Sequence, residues 1–319
     1  MENKKRPLVV LTGPTAVGKT KLSIALAKAI NGEILSADSM QVYKHMDIGS
    51  AKIRPEEMQG VPHHLIDILE PWEEFNVVVF QKRCLECMEQ IYANGHIPIL
   101  VGGTGFYIQA VLRSIDFTEN EENTEYREGL ERIAREQGPE ILHEQLKKVD
   151  PVSAENIHAN NVKRTIRALE YYELTGEPIS AHNEREKERV SPYNFSYFVL
   201  TDDREKLYAR IETRIDEMLS EGLVDEVKQL KEMGCHRGMV SMQGLGYKEI
   251  LDYLDGNNSL EEAVYTLKRD TRHFAKRQLT WFRREKEVTW INKEKFDDNE
   301  EKILQYMLRK LREKEIVSE

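Results

Sequence analysis

The sequence predicts an α/β fold with a parallel sheet and an all-helical insertion, and three observations lead to this prediction. Short apolar runs alternate with helical segments in the first third of the chain, beginning with Leu8–Leu11 and Lys21–Ile30. A glycine-rich loop joins these two elements. Between residues 116 and 190 the alternation stops and no strand pattern is found. Because alternation is typical of a doubly wound sheet, we expect a core formed by residues 1–115 and 191–319 and a helical insertion at 116–190.

The further strands are predicted from short apolar runs bounded by polar turns. The chain returns to a strand pattern after residue 190, which makes the helices an insertion rather than a separate C-terminal domain. The predicted strands after the first are Gly32–Ala37, His64–Leu69, His96–Val101, Asn194–Leu200 and an edge strand at Val288–Ile291.

The further helices are predicted from their termini. Asn94-Gly95 closes one, Asp202 or Asp203 caps another, and Ser259 opens a third with Glu262 in a capping box. A charged helix ends the chain. The predicted ranges are 76–93, 203–220, 259–284 and 299–315.

The glycine-rich loop has the GxxxxGKT pattern of a P-loop, between a strand and a helix. Its backbone N–H groups converge on one centre, and the following helix adds its positive N-terminal end. Lys19 supplies a further positive charge, and the Thr20 hydroxyl is suited to bind Mg²⁺. We therefore expect a P-loop NTPase-like core that binds a diphosphate with Gly13, Thr15, Ala16, Val17, Gly18, Lys19 and Thr20.

Two further candidates follow the ends of predicted strands, where ligands of parallel sheets bind. Asp38 comes directly after the second strand, and it can help to hold Mg²⁺, accept a proton or cap a turn. Gly102-Gly103-Thr104-Gly105 is a second glycine-rich turn, in which Thr104 offers its hydroxyl to a diphosphate oxygen. Close packing of a strand against a helix explains Gly105 equally well.

Arg210 and Arg214 lie one helical turn apart on the predicted helix that begins near Asp203. A guanidinium group binds phosphate oxygens in a bidentate manner, so either arginine can stabilise a departing diphosphate. The alternative is a solvated surface on which both pair with glutamates of the same helix.

A basic segment lies within the last long helix. Between Lys268 and Lys286 eight basic residues stand against two acidic ones, although the whole chain has a net charge of −10. Four of the cations fall on one helical stripe, which favours contact with a sugar–phosphate backbone over a solvated face of mixed charge. The stripe contains Arg269, Arg272, Lys276 and Arg283.

Composition makes several other classes of protein improbable. The chain has no apolar run near the roughly 20 residues that a membrane span requires, and its first residues lead directly into a strand, without a secretion signal. Cys84 and Cys87 form an isolated CxxC within a helical pattern, so we expect shielded thiols rather than a zinc site. We expect a cytoplasmic protein, without a membrane partner, that acts as a monomer.

These blocks, in this order, resemble the bacterial tRNA dimethylallyltransferase family, also called tRNA isopentenyltransferases. The resemblance implies transfer of a dimethylallyl group from dimethylallyl diphosphate to N6 of an adenosine beside the tRNA anticodon, with release of diphosphate. It also implies that the P-loop binds a prenyl diphosphate rather than ATP. The matching blocks are Gly13–Thr20, Asp38–Gln41, Gly102–Gly105, Gly246–Glu249 and Thr271–Gln278.

The resemblance implies roles for the candidate residues. Asp38 would be the base that removes a proton from the adenine amine. Lys19, Mg²⁺ at Thr20, Thr104 and one of Arg210 or Arg214 would stabilise the leaving diphosphate. The target base would leave its stack and enter the crevice. The anticodon stem-loop would contact Ser39, Met40, Gln41, Lys163, Arg164, Arg167, Arg272, Lys276, Arg277 and Gln278.

Two other functions stay open from the residues alone. A nucleoside or nucleotide kinase uses the same loop and core, but it needs no basic helix. A non-catalytic RNA-binding protein would use the loop only to sense a phosphate, and it would not need Asp38.

Overall fold

The computed structural model describes residues 5–117 and 124–318, and a six-stranded sheet forms its centre. The strands are β1 (Arg6–Thr12), β2 (Gly32–Ala37), β3 (His63–His64), β4 (Ile97–Gly102), β5 (Tyr193–Thr201) and β6 (Val288–Asn292). Their order in the sheet is β3-β2-β4-β1-β5-β6, and every pairing is parallel. Central β1 lies between β4 and β5, so that Val10 is paired with both Leu100 and Tyr197.

Two helices begin at capping residues that the sequence predicts, Asp203 and Ser259, and Asn76 caps a third. Asn76, Asp203 and Ser259 accept backbone N–H groups of the first turns that follow them, and Glu262 completes the capping box with Ser259. The helices are α1 (Lys19–Ile30), α2 (Val77–Ala93), α3 (Gly105–Leu112), α4 (Thr124–Gln137), α5 (Pro139–Val149), α6 (Pro151–Asn156), α7 (Val162–Thr175), α8 (Ile179–Glu188), α9 (Arg204–Ser220), α10 (Leu223–Glu232), α11 (Tyr247–Leu254), α12 (Leu260–Phe282) and α13 (Glu300–Glu313).

The chain divides into two compact units, Met1–Leu112 with Pro192–Glu319, and Arg113–Ser191. The first contains the sheet, and Leu8–Leu11 of β1 are completely buried because helices cover both faces of a parallel sheet. The second contains α4–α8 and has a separate apolar core around Leu142, Leu146 and Leu169. None of the helices in the described part of the chain is both long and apolar enough to span a membrane.

The third strand differs from the prediction. Only His63 and His64 pair with β2, and Leu69 makes a single bridge with Tyr43. Leu65 and Asp67 have φ angles of 64° and 54°, in the left-handed region, so the chain cannot stay extended there. The prediction of a strand over residues 64–69 is therefore wrong. Helices α10 and α11 lie where the sequence analysis predicted no element.

Candidate active site

The P-loop joins β1 to α1, and Lys19, the first residue of α1, folds back over it. Its Nζ donates to the carbonyl oxygens of Gly13 (3.0 Å) and Pro14 (2.9 Å). Desolvation and the nearby charge of Arg214 lower the pKa of Lys19 to about 8, and the negative charge of Asp38 opposes part of this shift. A desolvated ammonium group at this place favours an anionic ligand.

Asp38 lies directly after β2, half-buried, at the same edge of the sheet. Its Oδ1 accepts the backbone N–H of Met40 at 2.8 Å, which fixes the carboxylate in a local turn. Burial lowers the pKa of the Arg214 guanidinium, and Asp38 is the largest opposing influence on it. The structure therefore brings Asp38, Lys19 and Arg214 within one electrostatic environment.

The two arginines of α9 have different surroundings. Arg210 donates from Nε to the Ala16 carbonyl oxygen (3.1 Å) and from Nη2 to Asp202 (2.5 Å), so it braces the P-loop from outside. Arg214 is half-buried and makes no hydrogen bond or ion pair with any residue that the structure describes, although it lies near Asp38. Of the two, only Arg214 keeps its guanidinium donors for a ligand.

Thr104 connects the ends of two strands. Its N–H donates to the carbonyl oxygen of Ala37 at the end of β2 (3.3 Å), and its own carbonyl accepts the N–H groups of Tyr107 and Ile108 at the start of α3. The half-buried hydroxyl has no hydrogen-bond partner among the described residues, so it is available at the crevice.

Gln278 of α12, predicted from the sequence to contact tRNA, is bound within the protein. The side chain is buried. Its Oε1 accepts the backbone N–H of Thr15 in the P-loop (2.9 Å), and its Nε2 donates to the carbonyl oxygen of Gly103 (3.0 Å). With both ends of the amide bound to the backbone, Gln278 joins the two glycine-rich turns, and a direct contact with RNA stays a prediction.

The second glycine-rich turn owes its glycines to this packing. A Cβ on Gly103 would lie 2.1 Å from Nε2 of Gln278, and a Cβ on Gly105 would lie 2.2 Å from Cδ1 of Trp281. Both distances are far below van der Waals contact. For Gly105 the structure therefore favours the packing explanation over close approach of a ligand.

The three residues after Asp38 are half-buried beside the crevice. Met40 packs closely on Gly244, where a Cβ would lie 2.6 Å from the Met40 Cε atom. Gln41 accepts from the Ser36 hydroxyl (3.0 Å) and donates to the Ala51 carbonyl oxygen (3.4 Å). Ser39 has no side-chain hydrogen bond within the described ranges, so it is the most available polar group of the three.

Two of the four cations in the predicted basic stripe are ion-paired within the protein. Arg272 pairs with Glu212 (2.6 Å) and Arg269 with Asp270 (2.8 Å). Arg272 is therefore already ion-paired with a glutamate of α9, and its contact with RNA stays a prediction.

The unpaired cations include Lys276 of the same stripe and lie toward the C-terminal end of α12. Lys276, Arg277 and Arg284 make no ion pair with any described residue, and Arg277 lies over the Phe274 ring at 5.8 Å. Together with other side chains they line an open cavity of about 450 Å³. The lining residues, all on one helix face or its end, are His273, Lys276, Arg277, Thr280, Trp281 and Arg284.

In the second unit, the first two turns of α7 expose three cations. These are Lys163, Arg164 and Arg167, and no acidic partner is found for them in the described residues. They lie at i, i+1 and i+4, which gives the helix one basic side.

Comparison with known proteins then decides the family. A family model described as "IPP transferase" matches residues 41–285, and another described as "Isopentenyl transferase" matches residues 7–68. The chain belongs to the IPP transferase family. The resemblance inferred from the sequence blocks and the P-loop-like α/β fold are thereby confirmed.

Members of this family resemble the chain over nearly its whole length. The tRNA dimethylallyltransferase of Lachnoclostridium phytofermentans is 63% identical over 98% of this chain and 99% of its own. The full-length tRNA isopentenylpyrophosphate transferase of Bacillus halodurans is 48% identical, with a TM-score of 0.73 and 98% of both chains covered. A eukaryotic dimethylallyltransferase acting on tRNA is 30% identical, with a TM-score of 0.76, over 90% of this chain and 74% of its own.

This member of the family has no group of three metal-ligating side chains in the residues that the structure describes. Cys84 and Cys87 lie on α2, and burial raises the pKa of both thiols, which opposes the thiolate form that metal ions bind. Cys235 is also buried and unpaired.

Proposed function

We propose that the protein transfers the dimethylallyl group of dimethylallyl diphosphate to N6 of an adenosine adjacent to the anticodon of tRNA. The observation that carries the proposal is that the Asp38 carboxylate interacts electrostatically with both Lys19 and Arg214 beside the P-loop. An anion site and a carboxylate base are what this transfer requires. The names of the relatives support the choice of both substrates.

The diphosphate would bind in the P-loop, where Gly13, Ala16, Val17 and Gly18 provide the backbone and Lys19 a charge. Thr15 would shape the loop, because its N–H is donated to Gln278. We assign Arg214 rather than Arg210 to the diphosphate, because Arg210 is already bound to Ala16 and Asp202. The Thr104 hydroxyl would complete the enclosure. As the C–O bond breaks, negative charge grows on the diphosphate, and these preorganised donors stabilise it.

The crevice also fits Mg²⁺, which takes few protein ligands and completes its octahedron with water and substrate phosphates. The Thr20 hydroxyl in the first turn of α1 has no hydrogen-bond partner in the described residues, and the Asp38 carboxylate is on the same edge of the sheet. We assign Thr20 as the protein ligand. When bound, Mg²⁺ would supply positive charge to the diphosphate, while the chain's own cations provide the rest.

The adenine amine is a weak nucleophile, so a base beside it assists the attack. Asp38 would take the N6 proton as the new C–N bond forms and the bond from the dimethylallyl carbon to diphosphate breaks. The hydrogen bond from the Met40 N–H to Oδ1 holds the Asp38 carboxylate in place. Ser39 and Met40 would line the adenine pocket, which the base can enter only after leaving its stack.

The tRNA would bind to Lys276 and Arg277 of α12, to Arg284 just after that helix, and to the basic side of α7. Phosphate contacts of this kind supply affinity and orientation, while the crevice selects the base. All the groups used come from one chain, so a monomer would suffice. We propose that the enzyme acts in the cytoplasm.

The test is mass analysis of tRNA nucleosides before and after incubation with the protein, dimethylallyl diphosphate and Mg²⁺. A dimethylallyl adduct on one adenosine, dependent on both protein and prenyl donor, is the expected product. Parallel incubation with labelled ATP tests the kinase alternative. Product from ATP without tRNA, or unmodified tRNA in the full mixture, would contradict the proposal.

A further inference from the structure

The segment that leads away from Asp38, residues 39–51, contains no strand and no helix, yet a distant carboxylate holds it in place. Glu226, in the first turn of α10, accepts three consecutive backbone N–H groups. These belong to Asp47 (2.8 Å), Ile48 (2.7 Å) and Gly49 (3.0 Å). Three consecutive N–H groups that converge on one carboxylate form an anion-binding nest, and charge-assisted hydrogen bonds of this kind are strong.

Tyr247 orients this carboxylate from the other side. It is the first residue of α11 and completely buried, and its hydroxyl donates to Oε1 of Glu226 at 2.8 Å. The ring lies on Gly49, where a Cβ would come within 2.6 Å of Cζ. Gly246–Glu249, a sequence block to which the proposed function gives no role, thus supplies a buried hydroxyl. The Glu249 side chain in turn caps α11 by accepting the Gly246 N–H (2.9 Å).

A chain of contacts connects this clamp, Glu226 with Tyr247, to the residues beside Asp38. A turn links Ile48 to Ala51, with the Ala51 N–H donating to the Ile48 carbonyl oxygen (2.9 Å). The Ala51 carbonyl accepts from Gln41, and Gln41 accepts from Ser36 at the end of β2. Gly244, which precedes α11, also packs against the thioether of Met40.

We propose that Glu226 and Tyr247 are positioning residues for the nucleotide acceptor, which fix segment 39–51 and so set where the adenine lies relative to Asp38. This inference rests on the proposed function. The clamp touches neither the P-loop nor Arg214. It therefore acts on the acceptor side of the reaction and leaves the diphosphate side unchanged.

The test compares Glu226→Gln with Glu232→Gln, a control at the exposed end of the same helix. The neutral amide accepts fewer and weaker hydrogen bonds and places an NH₂ group against backbone N–H donors. We expect kcat with tRNA to fall about 10- to 100-fold, as for a small displacement of a reacting group. The Kd values for inorganic diphosphate and for tRNA should stay within about twofold, because phosphate contacts provide most of the affinity.

Tyr247→Phe removes one hydrogen bond from the clamp while keeping the ring, and it serves if Glu226→Gln does not fold. It should lower kcat with tRNA by a smaller factor than Glu226→Gln does, and it should leave the Kd values for diphosphate and tRNA unchanged. A folded variant with unchanged kcat, or an equal loss in diphosphate binding, would overturn the positioning role. Failure of the unmutated protein to modify tRNA would instead overturn the proposed function, so the two failures are distinguishable.

Discussion

Asp38 uses its two carboxylate oxygens differently. Oδ1 accepts the Met40 N–H, whereas Oδ2 accepts no hydrogen bond from the residues that the structure describes. One oxygen therefore fixes the side chain, and the other is left for a substrate proton. A fixed base with one available lone-pair site is well suited to general-base catalysis.

Asp38→Asn tests this division. The amide oxygen can still accept from Met40, so segment 39–51 should keep its conformation, but the side chain can no longer take a proton. We expect kcat to fall about 10²- to 10⁴-fold with unchanged tRNA affinity, measured by filter binding. Asp225→Asn on the exposed side of α10 is the matched control. Loss of tRNA binding in Asp38→Asn would point to a structural role.

Lys19 makes diphosphate binding dependent on pH. Its pKa of about 8 lies below the usual lysine value, mainly through desolvation. Below this pH the ammonium is charged and attracts the ligand, and as pH rises through it the charge is lost. Binding should therefore weaken on the alkaline side.

The measurement is the affinity for inorganic diphosphate, by titration calorimetry, for the unmutated protein and for Lys19→Met. From about pH 7 to about pH 9, the unmutated protein should lose about tenfold more affinity than the variant. Ionisation of the ligand itself affects both proteins equally and cancels in the comparison. Parallel pH profiles would show that Lys19 does not titrate in this range.

At the scale of the element, α12 has two functional sides. Gln278 is bound to the glycine-rich turns on one side, while Lys276 and Arg277, with Arg284 just after the helix, line the cavity on the other. Trp281 lies between the two sides, since it packs on Gly105 and also lines the cavity. The same helix therefore holds the two glycine-rich turns together and carries the cations proposed for tRNA. Its close seating depends on the absence of a side chain at Gly105.

Two glycine-to-alanine changes separate packing from helix propensity. Gly105→Ala forces a methyl group to within 2.2 Å of the Trp281 ring, and overpacking of this kind costs about 1–3 kcal/mol of stability. Gly129→Ala, inside α4 with no atom nearby, should instead gain about 0.5–1 kcal/mol. Thermal unfolding checks both, since Tm should fall for the first and rise for the second. A Tm of Gly105→Ala equal to that of the unmutated protein would mean that the Trp281 ring can move aside without loss of stability.

At the scale of the whole molecule, charge is unevenly distributed. The chain carries a net charge of −10, and many of the basic residues of α12 are paired within the protein. Attraction to RNA therefore depends on the few cations that stay unpaired on one face. Replacing an unpaired cation should therefore reduce the salt dependence of tRNA binding, whereas replacing a paired cation should change it little.

A double variant tests this difference. Lys276→Ala with Arg277→Ala should weaken tRNA binding and reduce the slope of log K against log salt by about 1.8, for two lost phosphate contacts. Lys268→Ala with Arg269→Ala removes the same charge from the same helix, but from side chains paired with Asp216 and Asp270. Its slope should change much less. Equal slopes for both variants would assign Lys276 and Arg277 no special role.

The sequence by itself determined the sheet, the P-loop and the place of Asp38. These features follow from local patterns, because strand and helix periods, caps and glycine spacing are read within a few residues. The parallel arrangement then requires that Lys19, Asp38 and Thr104, each placed after a strand, share one edge. The positive φ angles of Leu65 and Asp67, which shorten β3, are not indicated by any local sequence pattern.

Only the tertiary structure decided which side chains are left for ligands. Arg210 and Arg214 are equivalent on a helical wheel, but a carbonyl oxygen of the P-loop, 194 residues away, occupies Arg210. Gln278 and Arg272 lie in a basic helix, but Thr15, Gly103 and Glu212 bind them. Glu226 gave no sequence signal, since its partners in segment 47–49 are 177 to 179 residues distant. Hydrogen bonds and ion pairs satisfy whatever group the fold brings near, and local sequence carries no record of those distant neighbours.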